Sequence, residues 1–249
     1  MLRIAKQTVH TLDGSIVASE VLARLEIGNQ VLTPPAFMHG CSAESWFALD
    51  MEVIKIVGTA DDLKNASAPT FVNISPATLE NDHFLRAFCQ EIARQADTRK
   101  AKLVIEIPEM SALQGRDLTR RLEEIEFSGA DVAIDDFGRE HATQERLELF
   151  SWRYCKIDLA AFQEQANLDW LDSAIRYARA NGIQLIMEKL ESFRDIEALS
   201  PVKNTAWYQG YCYAMPALVD TPNAIFGHRR PMNHATVMDT SRAVAAVGA

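Results

Sequence analysis

The sequence predicts an α/β barrel of eight strands in which the first strand is antiparallel to the second. Strand-like apolar segments alternate with helix-like segments along most of the chain, which is typical of a parallel sheet covered by helices. Eight strand segments can be recognised, and 249 residues is an ordinary length for one closed barrel. A hydrophobic content of 48% is sufficient for a large core.

The first part of the chain begins with a predicted hairpin. The segments KQTVHTL and SIVASEVLARL flank Asp13-Gly14, which is a strong signal for a tight turn between antiparallel strands. The next segment, PPAFMHGCSAESWFALDMEVIKIVG, has helix-spaced apolar residues, and we expect its helix to stop at Gly58. APTFVNIS then predicts a strand, and Ser75-Pro76 predicts the capped start of the helix that carries HFLRAFCQEI.

The second part of the chain repeats the strand–helix order. AKLVIEI predicts a strand followed by a helix near 111–126, and ADVAIDD predicts a strand followed by a short helix near 142–150. RYCKID predicts a strand before a long helix that ends at Asn181-Gly182, and IQLIME and TAWYQGY predict the last two strands. We expect one domain over residues 1–226 and a small, polar, loosely ordered tail over 227–249.

Charge and cysteine usage exclude several classes of partner and compartment. A net charge of −9 argues against binding to a nucleic-acid polymer or an anionic membrane. The longest apolar runs fall short of the roughly 20 residues of a membrane span, and the N-terminus lacks the apolar core of a signal peptide. The cysteines lie far apart without a C-x-x-C pair, which is typical of free thiols in a reducing cytoplasm. They are Cys41, Cys89, Cys155 and Cys212.

Polar residues follow the apolar runs of seven predicted strands. The carboxyl ends of barrel strands face the mouth of the barrel, so these side chains are expected to converge there. Asp135 is followed directly by Asp136, and two adjacent buried carboxylates need a compensating positive charge. Apart from Lys156, no basic residue flanks them. The seven residues at the ends of the runs are Glu20, Asn73, Glu106, Asp135, Lys156, Glu188 and Gln209.

This oxygen-rich set is suited to hard divalent cations such as Mg²⁺ or Mn²⁺. Zinc fits less well, because no His or Cys lies at a strand end in ligand spacing. Asp135 could bridge two ions while Asp136 holds the second, and two ions would favour in-line displacement at phosphorus. A phosphodiester is therefore the predicted substrate class. A barrel glycosidase that uses two of these acids is a less favoured alternative.

Seven motifs resemble those of the EAL domain family and occur in the family's order. SEVLARL resembles the Glu-Ala-Leu segment that names the family, with Val21 in place of alanine. The other motifs are FVNISPATL, LVIEIPE, AIDDFG, CKID, MEKLES and YQGYCYAMP, and the match runs from about Leu2 to Pro216. The resemblance implies a modified TIM (β/α)8 barrel with an antiparallel first strand. It also implies hydrolysis of cyclic di-GMP (c-di-GMP) to linear pGpG with two Mg²⁺ or Mn²⁺ ions.

The resemblance further implies a role for each site residue. Lys156 would orient or polarise the attacking water, with a purely charge-balancing salt bridge as the alternative. Arg24 would contact a substrate phosphate, and Gln209 would hydrogen-bond a water at the metal or the substrate. Glu191 would anchor the loop after ADVAIDD, and Glu109 would support the ligands from behind. The first metal would be held by Glu20, Asn73, Glu106 and Asp135. The second metal would be held by Asp135, Asp136 and Glu188. The catalytic residues would be Lys156, Glu188 and Gln209.

The chain also departs from the family pattern near the second metal. The loop after DDFG reads REHATQ (139–144) where the family has small residues and a glycine, and Lys189 stands where glycine is usual. Leu25 replaces a tryptophan that would face a guanine. A domain with weak or no turnover, acting as a c-di-GMP receptor or a protein-interaction module, therefore stays an alternative. A homodimer and a contact between Lys189 and Glu140 are also left open.

Overall fold

The structure is a computed structural model that describes residues 1–158, 169–194 and 202–220. Strands alternate with helices along most of the chain, as the sequence predicts. The strands are β1 (Leu2–His10), β2 (Ile16–Ile27), β3 (Gln30–Leu32), β4 (Thr70–Asn73), β5 (Leu103–Ile107), β6 (Asp131–Phe137), β7 (Tyr154–Asp158), β8 (Gln184–Glu188), β9 (Trp207–Tyr208) and β10 (Ala217–Leu218). The helices are α1 (Pro34–Phe37), α2 (Ala43–Thr59), α3 (Asp61–Lys64), α4 (Pro76–Glu80), α5 (Asp82–Ala96), α6 (Gly115–Phe127), α7 (Gln144–Leu149) and α8 (Asp169–Asn181).

Eight of these strands close into a barrel. Strands β2, β4, β5, β6, β7, β8 and β9 pair in parallel in that order. Strand β1 closes the ring by pairing antiparallel with both β2 and β9. Strands β3 and β10 extend β2 and β1 outside the ring. The prediction of a modified TIM barrel with an antiparallel first strand is therefore confirmed.

The antiparallel start results from the predicted tight turn between β1 and β2. Gly14 has a φ of +86°, a backbone conformation that side chains with a Cβ disfavour. The Asp13 carboxylate accepts hydrogen bonds from the Thr11 hydroxyl and the Ser15 N–H, at 2.5 and 3.2 Å. These contacts close the loop over five residues and reverse the chain, so that β2 runs parallel to the strands that follow.

The interior of the barrel is apolar at one end and polar at the other. Because side chains alternate between the two faces of a strand, a residue two positions along points the same way. Phe71 lies two residues before Asn73, Val104 two before Glu106, and the same spacing recurs on the other strands. The apolar plug consists of Val9, Ala18, Phe71, Val104, Ala133, Tyr154 and Ile186. This apolar plug closes the barrel beneath the predicted site.

Helix boundaries differ from the sequence prediction at two places. The segment predicted as one helix ending at Gly58 forms α1 and α2, and α2 ends one residue later, at Thr59. Ser75 caps α4 as predicted, by accepting a hydrogen bond from the Thr78 N–H at 3.2 Å. The longer helix after it is separate and is capped by Asn81, whose side chain accepts from the next two free N–H groups.

Two further predictions concern the limits of elements. Glu20 lies in the middle of β2 rather than at its end, because β2 continues to Ile27 along β1 and β3. The predicted tail over 227–249 lies outside the described residues, so the domain limits stay a prediction. Among the described helices, none has the length and apolar character needed to cross a bilayer.

Candidate active site

Lys156 lies at the centre of the polar end of the barrel. Its side chain is 2% exposed, and its Nζ lies 2.8 Å from Glu188 Oε1, 3.3 Å from Asp135 Oδ1 and 3.5 Å from Glu20 Oε2. The same Nζ also contacts Glu106 Oε1. Strands β2, β5, β6 and β8 thus place four carboxylates around one ammonium supplied by β7.

The pKa values at this cluster show a shortage of positive charge. Burial lowers the pKa of Lys156, but the surrounding carboxylates outweigh it and hold that pKa well above its usual value. Burial, with repulsion from Glu20, raises the pKa of Glu106 well above its usual value. Burial raises the pKa of Glu188 to about 8 despite the attraction of Lys156. Burial also raises the pKa of Asp135. One ammonium is therefore too little charge for four acids, of which three are buried and Asp135 is partly buried.

Glu20 differs because it has hydrogen-bond donors of its own. Asn73 Nδ2 donates to Glu20 Oε1 at 2.9 Å, and Gln209 Nε2 donates to Glu20 Oε2 at 2.6 Å. Burial raises the pKa of Glu20, but Lys156 and these two amides together bring it below its usual value. Gln209 also donates to Gln7 Oε1 at 3.2 Å, which links the end of β9 to β1. Glu20 is therefore the acid most firmly held in its ionised form.

Gln209 reaches the cluster because Gly210 lets the backbone pack closely. A Cβ at Gly210 would lie 2.1 Å from the Leu190 carbonyl oxygen, a distance that no side chain permits. The Cys212 N–H donates to that carbonyl at 3.2 Å, and the Gln209 N–H donates to the Met187 carbonyl at 2.9 Å. The segment after β9 is thus fixed against the end of β8.

Asp136 faces the rim of the barrel, where Lys189 binds it. The Lys189 Nζ lies 3.1 and 3.3 Å from the two Asp136 oxygens and 2.7 Å from Asp158 Oδ2. Arg139 Nε lies 3.0 Å from the same Asp158 oxygen. Arg139, in the altered loop after DDFG, and Lys189 therefore both contact the buried carboxylate of Asp158. Lys189 therefore contacts Asp136 and Asp158, and not Glu140, the partner that the sequence left open.

A divalent cation fits the residues of the site. Glu106 is fully buried, and its Oε2 has no hydrogen-bond partner among the residues that the structure describes. Glu109, Asp135 and Asp136 each bring an oxygen within 4.8 Å of the others, a spacing that could surround an ion. Burial and the two neighbouring aspartates raise the pKa of Glu109. Uncompensated carboxylates of this kind are the ligands that Mg²⁺ and Mn²⁺ prefer.

Two adjacent clefts of about 440 Å³ each open above the cluster. Arg24 lies half-buried between them, with its Nη1 donating to the Ala23 carbonyl at 2.8 Å. The second cleft contains Trp46, an aromatic residue of α2 that sequence reasoning missed. The first cleft is bordered by Glu191, the predicted loop anchor, which is exposed at its edge.

The structure brings the sequence-predicted site residues to one end of the barrel. Those that line the first cleft are Glu20, Arg24, Asp135, Asp136, Lys156, Glu188, Glu191 and Gln209. Asn73 lines the second cleft. Glu106 joins the cluster through its contact with the Lys156 ammonium. Gln7 and Asp158 were not predicted. The signal for Asp158 was present, since it shares the CKID motif and the same inward strand face with Lys156.

A family model supplies the identification. Residues 2–216 match the model of the EAL domain. The chain belongs to the EAL domain family. It is 25% identical over 215 residues to the cyclic di-GMP phosphodiesterase PdeL of Escherichia coli K12, covering 82% of this chain and 59% of that protein. It is 27% identical over 222 residues to the cyclic di-GMP phosphodiesterase PdeF of the same strain, covering 84% of this chain and 29% of that protein. The chain thus spans less than two thirds of the length of either relative.

Solved structures support the fold of this EAL domain. A Bacillus subtilis YkuI protein with an EAL domain, solved with substrate c-di-GMP and calcium, superposes with a TM-score of 0.73 at 24% identity, covering 87% of this chain and 55% of that one. The PaMucR phosphodiesterase in complex with c-di-GMP superposes with a TM-score of 0.70 at 17% identity, covering 87% of this chain and 92% of that one.

Proposed function

We propose that this EAL domain hydrolyses c-di-GMP to linear pGpG with the help of divalent cations. The observation that carries the proposal is the cluster of three buried carboxylates and one partly buried carboxylate around Lys156 at the floor of a cleft. Its unbalanced negative charge requires cations, and cations between acids favour displacement at phosphorus. Two relatives of this domain carry the name of that activity, and c-di-GMP is therefore the proposed partner.

The metal ligands can be assigned from the positions of the acids. Glu20, Asn73, Glu106 and Asp135 would hold one Mg²⁺ or Mn²⁺ ion. When bound, a divalent cation supplies Lewis acidity and lowers the pKa of water at the site. Asp135, Asp136 and Glu188 are the candidates for a second ion, and the contacts of Asp136 decide whether that ion binds.

Lys156 would stay protonated and act as a hydrogen-bond donor. Its pKa is well above the usual lysine value, so the ammonium keeps its protons at neutral pH. A charged Nζ cannot abstract a proton from water, but it can donate a hydrogen bond to an oxygen at the floor of the cleft. Lys156 would thereby orient the attacking water while it balances the surrounding acids, which combines the two roles considered from the sequence.

The substrate would be oriented by residues around the clefts. The guanidinium of Arg24 offers a planar pair of donors that matches two phosphate oxygens. Gln209 uses its amide N–H on Glu20, while its Oε1 is buried without a hydrogen-bond partner among the described residues. This oxygen could accept a hydrogen bond from water or substrate. Trp46 would offer a guanine base the aromatic face that Leu25 lacks.

The experiment is to incubate purified protein with c-di-GMP and Mg²⁺ or Mn²⁺ and to follow pGpG by ion-pair chromatography. Lys156→Met is the inactive control, and Lys102→Met is the matched control, because Lys102 pairs with Asp131 at the opposite end of the barrel. Formation of pGpG by the wild type and by Lys102→Met is the expected result. Absence of product at high enzyme concentration would contradict the proposal.

A second candidate function is c-di-GMP binding with little or no turnover. It is favoured by the pair Lys189 and Arg139, which place two cations beside Asp136 and Asp158. Isothermal titration calorimetry with c-di-GMP in the absence of metal measures binding, and the assay for pGpG with Mg²⁺ or Mn²⁺ measures turnover. Binding in the first together with no pGpG in the second supports a receptor, and absence of binding supports a protein-contact role. A cytoplasmic location and a homodimer remain predictions.

A further inference from the structure

The rim of the site differs in charge from its floor. On the floor, Glu20, Glu106, Asp135 and Glu188 surround the single cation Lys156. At the rim, two carboxylates meet two cations. These are Asp136 and Asp158, with Lys189 and Arg139. The demand for an added cation is therefore strong on the floor and partly met at the rim, where Glu109 is a further nearby carboxylate.

The position of the Lys189 ammonium resembles that of a bound ion. Its Nζ touches both oxygens of Asp136 and one oxygen of Asp158, so it bridges carboxylates from β6 and β7. Asp158 is buried, with its side chain 1% exposed, and the contact at 2.7 Å is a short charge-assisted one. A second cation at Asp136 would have to displace this contact between Lys189 and Asp136.

The backbone at the rim is also shaped for this contact. Lys189 has a φ of +58° and Asp136 a φ of +43°, and residues with a Cβ rarely adopt either conformation. Such a conformation persists only where its surroundings hold it. Three described residues other than glycine have a positive φ, Asp136, Glu140 and Lys189, and the first and last of them meet in this ion pair.

We propose that the Lys189 ammonium takes the place of the second divalent cation, so that this site binds one divalent ion instead of two. The proposal rests on the proposed function, because it assigns the metal content of that same site. The ion that remains would lie among Glu20, Asn73, Glu106 and Asp135, where no second ammonium is available among the described residues. Asp136 then serves to hold Lys189.

The test is a Mn²⁺ titration of the purified chain without nucleotide, with free Mn²⁺ measured by electron paramagnetic resonance. Lys189→Met keeps the volume and removes the charge, and Lys189→Gly also suits the positive φ. Lys102→Met changes the net charge by the same amount and breaks a comparable ion pair, of 2.8 Å, at the other end of the barrel. We expect one ion per chain for the wild type and Lys102→Met, and two for both Lys189 variants.

The result that would overturn the proposal is any wild-type stoichiometry other than one, or a Lys189→Met or Lys189→Gly stoichiometry that does not rise. Circular dichroism checks that each variant is folded, and the wild-type titration alone decides the matter if both fail to fold. A spin-coupled Mn²⁺ pair signal should appear in the Lys189 variants only. The titration contains no nucleotide, so its result is independent of the activity assay. Absence of pGpG in that assay together with one bound ion here would contradict only the proposed function, whereas two ions bound by the wild type would contradict this inference.

Discussion

Replacement of Lys156 by methionine is the sharpest test of how the acid cluster is tolerated. The substitution keeps most of the side-chain volume and removes the charge that four carboxylates share. Breaking a buried ion pair by removing one partner costs about 3 to 5 kcal/mol. Since several acids lose their counter-ion together here, we expect the upper end of that range in metal-free protein at pH 8. For a chain of this size, each kcal/mol shifts the Tm by about 2 to 4 °C, so the Tm should fall by about 10 to 20 °C.

Two conditions should reduce this loss of stability. At pH 5 Glu188, with a pKa of about 8, is largely protonated, and the raised pKa values of Glu106 and Asp135 also favour their neutral forms, so the penalty for losing Lys156 should shrink. Mn²⁺ at 100 times its Kd adds about 2.7 kcal/mol by binding the folded state. The gain on adding Mn²⁺ should be at least as large in Lys156→Met as in the wild type, because the variant leaves more charge unmet.

Differential scanning fluorimetry at pH 5 and pH 8, with and without Mn²⁺, measures all four states of each protein. Lys102→Met is the control, because an exposed ion pair contributes about 1 kcal/mol or less. If Lys156→Met melted at pH 8 within 3 °C of that control, the reasoning that one ammonium holds the acids together would be refuted.

Three more predictions follow from single residues. Burial raises the pKa of Asp50 to about 6, above the value of about 3.9 for an unfolded chain. Because ionised Asp50 is disfavoured in the folded state, the free energy of unfolding should fall by up to about 3 kcal/mol as the pH rises from 4 to 6. Asp50→Asn keeps an oxygen that can accept from Ser75, so it should match the wild type in urea melts at pH 4 and exceed it at pH 7.5. Glu106→Gln should weaken Mn²⁺ binding by at least about 100-fold in calorimetry, since its buried carboxylate would be a direct ligand. Arg24→Lys should raise KM for c-di-GMP about 10-fold with little change in kcat, as one ammonium replaces a two-point contact; an unchanged KM would place Arg24 outside the substrate contacts.

The barrel and the convergence of its polar residues could be predicted from the sequence because both follow from local periodicity. Alternation along each strand puts Ala133 and Asp135, or Tyr154 and Lys156, on the same face. The turn at Asp13-Gly14 fixes the antiparallel start. Within the described residues, these short-range signals were sufficient to assemble the floor of the site from five strands.

The contacts at the rim could not be predicted, since they join distant segments through loops. Lys189 and Asp136 lie 53 positions apart, and both backbones adopt a positive φ where the two side chains meet. Arg139 and Lys189 were noticed separately as unusual residues, but no periodicity links either to Asp158. Trp46 was missed for the same reason, because its position in the cleft depends on how α2 packs against α4 and α5.

The adjacent acids of AIDDFG make sense only with the irregularity that the structure shows in β6. In a regular strand, Asp135 and Asp136 would point to opposite faces, and the second carboxylate would enter the apolar layer between strand and helices. The register of β6 against β7 shifts between Ile134 and Phe137, and Asp136 has a φ of +43°. This bulge turns Asp136 towards the rim, while Asp135 stays on the floor and Phe137 returns to the core. One strand thereby supplies Asp135 to the floor, where it contacts Lys156, and Asp136 to the rim, where it contacts Lys189.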